Sequence, residues 1–175
     1  MIQTQIIQKQ FFKKIGEIHF SSASSIEFAG LQPGKIYKLF IRAVQQSADG
    51  FHYLRFNNNN NSIYQYSAYD EEDNGGFAGY GSGGGGAQTT EIKITNPSRL
   101  VYTGGNLFME FTIRSFNNRI LIYWQGGYYG ANSTNCHIAG YGRGEDNLSS
   151  IQYILSAGNF SGLASLYQII SEIDG

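Results

Sequence analysis

The stretch Ser149-Ser150-Ile151-Gln152-Tyr153-Ile154-Leu155-Ser156-Ala157-Gly158-Asn159-Phe160-Ser161-Gly162-Leu163-Ala164-Ser165-Leu166-Tyr167-Gln168-Ile169 decides the fold. Ile151, Tyr153 and Leu155 alternate with Gln152, Ile154 and Ser156, the period of two that a half-buried strand requires. Gly158-Asn159 and Ser161-Gly162 carry turn chemistry, and a second apolar run follows to Ile169. The segment therefore reads as strand, turn, strand. The same alternation recurs upstream. Tyr37, Leu39, Ile41 and Ala43 share one face, opposite Lys38 and Arg42. Leu107, Met109, Phe111 and Ile113 alternate with Glu110, Thr112 and Arg114. Shorter runs lie at Ile18–Phe20, Tyr53–Phe56, Ile92–Ile94 and Ile120–Trp124. Many short strands separated by turn clusters predict an all-β fold, a single jelly-roll-like antiparallel β-sandwich. Its inward set is expected to hold Ile18, Phe20, Leu39, Ile41, Leu54, Phe56, Phe111, Ile113, Ile122, Tyr153, Leu155 and Leu166.

The connections support this reading. In Leu31-Gln32-Pro33-Gly34-Lys35, Pro sets φ and Gly allows a positive φ, so a tight turn is predicted. Asn117-Asn118 between two β runs predicts a two-residue hairpin loop. Asn57 to Asn61 predicts an irregular connection, because Asn tolerates the left-handed region. Asn74 to Ala87 is dominated by Gly and reads as an exposed, flexible loop.

Residues 1–14 read as an N-terminal arm ahead of a domain spanning 15–175. Ile2, Ile6, Ile7 and Phe11 fit an amphipathic helix, and a β extension fits nearly as well. So short a segment cannot bury that stripe alone. The arm is expected to anchor on the domain or on another subunit.

Composition narrows the partners. Hydrophobic residues are 41% of 175, enough for a core, while charged residues are only 14%. Surface polarity must therefore come from Asn, Ser, Gln, Thr and Tyr, which suits packing into an assembly or contact with neutral ligands. The net charge is -1 and no cationic cluster exceeds Lys13-Lys14, so nucleic acid is not an expected partner. Gln3, Gln5, Gln8 and Gln10 interrupt any secretory apolar region, and no apolar run approaches the length of a membrane span. The single Cys136 excludes an internal disulfide and is expected to be a small buried thiol.

Catalysis finds little support. His19, His52 and His137 are scattered, and no Gly-x-Ser-x-Gly elbow is present. Cys136 and His137 are neighbours in a predicted strand and should face opposite ways. Asp49, the Asp70-Glu71-Glu72-Asp73 cluster and Glu145-Asp146 could supply paired carboxylates, but acids beside a Gly-rich loop read first as solvated surface. Asp70, Glu72, Asn74 and Gly75 begin like a calcium loop, yet Gly81 stands where a bidentate Glu belongs. No metal site, cofactor or enzymatic activity is expected. The most suggestive surface feature is aromatic: Tyr128 and Tyr129 in a Gly-rich turn beside Trp124, then Tyr141 and Arg143 in another. Tyrosine offers a flat apolar face with a polar edge, suited to sugars or protein interfaces. Trp124 shares a face with Ile120 and Ile122 and reads as core.

The closing stretch resembles the last strands of a jelly-roll-like domain of tailed-phage virion proteins. Ser24–Leu31, Tyr37–Ile41, Leu54–Asn57 and Tyr64–Tyr66 are similar to its opening, in the same order. Two positions depart from the pattern. Asn57 to Asn61 replaces a shorter turn, and Gln168 stands where the closing Leu-Tyr-Gly-Ile motif has Gly. The resemblance implies a non-enzymatic structural component of the virion: head decoration, head fibre or tail appendage. Such a protein would be made and assembled in the host cytoplasm, contact other virion proteins and form a homo-oligomer, a trimer by preference. The alternative is a module at the particle surface binding carbohydrate or a host receptor through Tyr128, Tyr129, Tyr141 and Arg143.

Overall fold

The computed structural model of the chain describes residues 10–45, 47–73, 75–82, 88–98, 100–129 and 135–171. Among these residues every regular element is a strand. The strands are β1 (Gln10–Ala23), β2 (Ser25–Ala29), β3 (Ile36–Gln45), β4 (His52–Phe56), β5 (Tyr64–Glu72), β6 (Phe77–Gly81), β7 (Ile92–Lys93), β8 (Asn106–Phe116), β9 (Arg119–Tyr129), β10 (Asn135–Gly144), β11 (Ser150–Leu155) and β12 (Phe160–Ser171). They form an eight-stranded sheet in the order β1-β12-β3-β8-β9-β10-β5-β6 and a four-stranded sheet in the order β2-β11-β4-β7. Every neighbouring pair of these strands is antiparallel. The chain passes repeatedly between the two sheets, so β1-β12-β3-β8 and β2-β11-β4-β7 make a jelly roll. The closing stretch forms β11 and β12, interior strands of opposite sheets.

The alternation seen in the sequence is the core. Leu39, Ile41, Leu54, Phe56, Phe111, Ile113, Ile122, Tyr153, Leu155 and Leu166 are buried, and Ile18 and Phe20 pack half-buried against them. An aromatic cluster joins the sheets at their centre. Tyr153 lies 5.9 Å from Phe111, 6.0 Å from Phe160 and 5.3 Å from His52, measured between ring centroids. Trp124 is buried as its spacing predicts, and the inward position opposite it on β10 is Gly140. A Cβ on Gly140 would meet Trp124 Cζ2 at 2.3 Å, so only glycine lets the indole lie flat there.

The turns behave as their residues dictate. Asn117 and Asn118 have φ of 47° and 58°, the two left-handed residues of a tight hairpin between β8 and β9. Gly34 has φ of 79° in the Pro-Gly turn. Asn57 and Asn58 are also left-handed, at 56° and 51°. The Asn57 side-chain oxygen accepts bonds from the Ser149 and Ser150 backbone N–H groups at 2.7 and 3.0 Å. The Asn run thus ties the end of β4 to the start of β11.

Three expectations need correction. The boundary after residue 14 falls inside β1, where Phe11 pairs with Ile170 and Phe12 with Ile169, and only a bulge between Lys14 and Gly16 marks the place. Residues 10–14 therefore belong to the domain as strand, because β12 offers a partner for their backbone. Ile2, Ile6 and Ile7 lie outside the described residues. The Gly-rich segment is not wholly loop, since β6 pairs with β5 from Phe77–Glu71 to Gly81–Ser67. Tyr80 anchors it by donating its hydroxyl to the Ile94 carbonyl. Finally, Asp70 and Glu72 are buried, because β5 continues through them and its even positions face inward.

Candidate functional site

Among the described residues, His52 is buried at the centre of the sandwich, and Asp70 is buried with Asn96 and Tyr128. His52 is enclosed between Tyr153 and Phe160, and neither ring nitrogen has a hydrogen-bond partner. Burial pushes its pKa down to about 3, so it is neutral. His19 and His137 are exposed on strands far apart in the sheet order. Cys136 is buried and His137 points the other way, as adjacent strand residues must. Asp70 is 0% exposed and accepts bonds from Asn96 Nδ2 at 3.1 Å and from the Tyr128 hydroxyl at 3.3 Å. Among the described residues no group of three or more His, Cys, Asp or Glu is placed to hold a metal ion.

Tyr128 therefore leaves the set of surface candidates. It is 3% exposed, and burial drives its hydroxyl pKa upward. Its parity on β9 is that of Ile120, Ile122 and Trp124, the signal that already marked Trp124 as core. Tyr129 is half-buried at the rim of a hollow of about 1040 Å³ shared with Val44, Phe108 and His137. Tyr141 and Arg143 lie on the outer face of the eight-stranded sheet.

That outer face is where the exposed aromatics gather. Register places them in rows across the strands. One row runs Lys14, Tyr167, Lys38, Thr112, Tyr123, Tyr141, Ser67. The next runs Glu17, Ser165, Phe40, Glu110, Gln125, Ala139, Tyr69. A third carries His19, Leu163, Arg42 and Phe108. Phe12, 58% exposed, stands at the end of the face on β1. The alternation that buries Leu39 or Met109 obliges Phe40 and Phe108 to point outward.

The face has two chemically different halves. On β1-β12-β3-β8, Phe12, Phe40, Phe108, Leu163 and Tyr167 line a groove of about 490 Å³ with Arg42 and Ser165. Phe40 and Tyr167 meet edge-on at 6.0 Å, and the Arg42 guanidinium lies over the Phe108 ring at 5.6 Å. Lys38 pairs with Glu110, Lys14 with Glu17 at 2.7 Å, and the Arg114 guanidinium lies over the Phe116 ring at 5.9 Å. The Lys14 ammonium, then the Ser165 hydroxyl at 3.0 Å, hold the Glu17 carboxyl below its ordinary pKa. On β9-β10-β5 the aromatics are tyrosines, interspersed with Gln125, Ser67 and Gln65. Arg143 donates to Gln65 Oε1 at 2.8 Å, which fixes its guanidinium against the sheet.

No protein-family model matches the chain, and no curated protein matches it. Among solved structures, the chain is similar to the galectin LEC-6 of Caenorhabditis elegans, with 16% identity and a TM-score of 0.28 over 85% of this chain and 96% of that one. A likeness this loose carries no information about ligand or partner.

Proposed function

We propose that this protein is a non-enzymatic structural subunit of a tailed-phage virion, acting through protein–protein contacts made by the outer face of its large sheet. The observation that carries the reading is the β1-β12-β3-β8 half of that face. Phe12 and Phe108 are exposed there, in a groove shared with Phe40, Leu163 and Tyr167. A contiguous apolar patch rimmed by polar groups is what a subunit interface presents before assembly. Two of its cations are neutralised within the same subunit, Lys38 by Glu110 and Lys14 by Glu17, while Arg42 and Arg114 lie over the rings of Phe108 and Phe116 and keep a charge for an acidic group of the neighbour. The occupant is a second copy of this chain in a closed ring, with the trimer as the order that the virion resemblance implies. The virion setting itself rests on that resemblance.

The test is the mass of the purified protein by light scattering at micromolar concentration, alongside the variant Phe108→Asp. The wild type should be oligomeric. The variant should be monomeric with an unchanged β spectrum, because Phe108 is exposed in the single subunit. A monomeric wild type, or a variant that assembles normally, would refute the use of this face. Cryo-electron microscopy of intact particles tests the virion setting, and particles without this chain would refute it.

A further inference from the structure

The β9-β10-β5 half of the outer face differs from the assembly half in a way that specifies a ligand. Tyr123 and Tyr141 are directly paired across β9 and β10, and they are 58% and 60% exposed. Adjacent strands lie about 5 Å apart, so the two side chains rise from neighbouring points of the sheet. Tyr69 on β5 continues the row by one diagonal step, since Tyr141 pairs with Ser67 two residues before it. Gln125 and Ser67 are exposed beside them, and the Arg143–Gln65 pair closes one end of the row.

We infer that this row is a binding platform for a neutral oligosaccharide. Sugar rings present C–H faces that stack on tyrosine rings, with hydroxyls around the edge that need both donors and acceptors. The row supplies each of these. Tyrosine rings give flat apolar area at low rotamer cost, and the phenol, amide and hydroxyl groups around them donate and accept. Charge selects against the other occupants. The centre of the row, at Tyr123, Tyr141, Gln125, Ser67 and Ala139, holds no ionised side chain, and of the two guanidiniums that flank Leu121 beside it, Arg143 is engaged by Gln65 and Arg114 lies over the Phe116 ring. A nucleic acid or an anionic polysaccharide would need a cationic track along the row itself. A second copy of the chain is better matched by the phenylalanine half, where ion pairs are internally neutralised. The row is longer than one sugar ring, so the ligand class is an oligosaccharide. The strands are rigid elements of the sandwich, and the platform needs no closure to form.

The site is independent of the assembly face, and its test keeps the two apart. Binding of the full chain to an array of neutral bacterial and plant oligosaccharides is followed by calorimetry with the best hit. The variants are Tyr123→Ala, Tyr141→Ala and, as a control on the other half, Phe108→Ala. A neutral oligosaccharide should bind, each tyrosine variant should weaken it at least tenfold, and Phe108→Ala should leave it unchanged. Tyr141→Phe should recover most of the affinity, because stacking is retained. Thermal unfolding of the tyrosine variants should match the wild type, since these rings are exposed. No binding by the folded protein would overturn the inference, as would binding that survives both tyrosine substitutions or a preference for anionic glycans. A change of oligomeric mass in Tyr123→Ala or Tyr141→Ala would assign the row to a subunit contact instead, and overturn it as well.

Discussion

His52 should make this protein acid-sensitive well above the range where carboxylates titrate. The imidazole is fully enclosed, tilted against Tyr153 and edge-on to Phe160, and neither nitrogen has a hydrogen-bond partner. Burial alone lowers its folded pKa to about 3, whereas the unfolded chain offers the ordinary 6.5. The folded state therefore takes up its proton later than the unfolded state as pH falls. Stability from this group is complete above pH ~6.5, declines as pH drops toward about 3, and is level again below that. One proton over this window costs about 1.4 kcal/mol per pH unit, so the loss is roughly 2 kcal/mol at pH 5 and approaches about 5 kcal/mol at its end. Urea unfolding at pH 7.5, 6 and 5 measures it, in the wild type and in His52→Leu. Leucine cannot titrate and leaves no orphaned nitrogen, so the variant should be at least as stable at pH 7.5 and lose the His52 share of the pH slope. The backbone bond from His52 N to Thr95 Oγ1 at 2.9 Å is untouched by the change. Parallel pH slopes in the two proteins, or a His52 imidazole that titrates near 6.5 by nuclear magnetic resonance in the folded state, would refute the reasoning.

Phe111→Ala should lower stability by about 3–5 kcal/mol in urea unfolding, since the ring is fully buried against Tyr153. Asn118→Val should cost about 1–2 kcal/mol, because a β-branched residue is forced into the left-handed φ of the hairpin, whereas Asn118→Gly should be neutral or better. Gly140→Ala should destabilise by roughly 1–3 kcal/mol and shift the fluorescence of Trp124, the only tryptophan, as the indole moves away from the new methyl group.

The period-two pattern by itself determined which residues face inward along each strand. Leu39, Phe111 and Tyr153 are legible as core from their own neighbours, because the pleat is a local property of the chain. Asn117-Asn118 specified its hairpin for the same reason: the left-handed preference resides in the residue. Tyr128 shows a local signal passed over, for its parity with Trp124 already placed it inside. Phe40, Phe108 and Tyr123 are the converse, outward by the same rule. Other features depended on the tertiary structure. Asp70 and Glu72 look solvated as a run of acids, yet β5 is covered at those positions, and Asn96 and Tyr128 come from distant segments to meet Asp70. β6 exists because β5 offers an open edge, which outweighs the disorder that its glycines favour. Tyr123 and Tyr141 become one platform only through the register of β9 against β10, and Phe40 meets Tyr167 only because β3 pairs with β12. Which strands lie side by side depends on contacts between residues far apart in the chain, and no local periodicity encodes them.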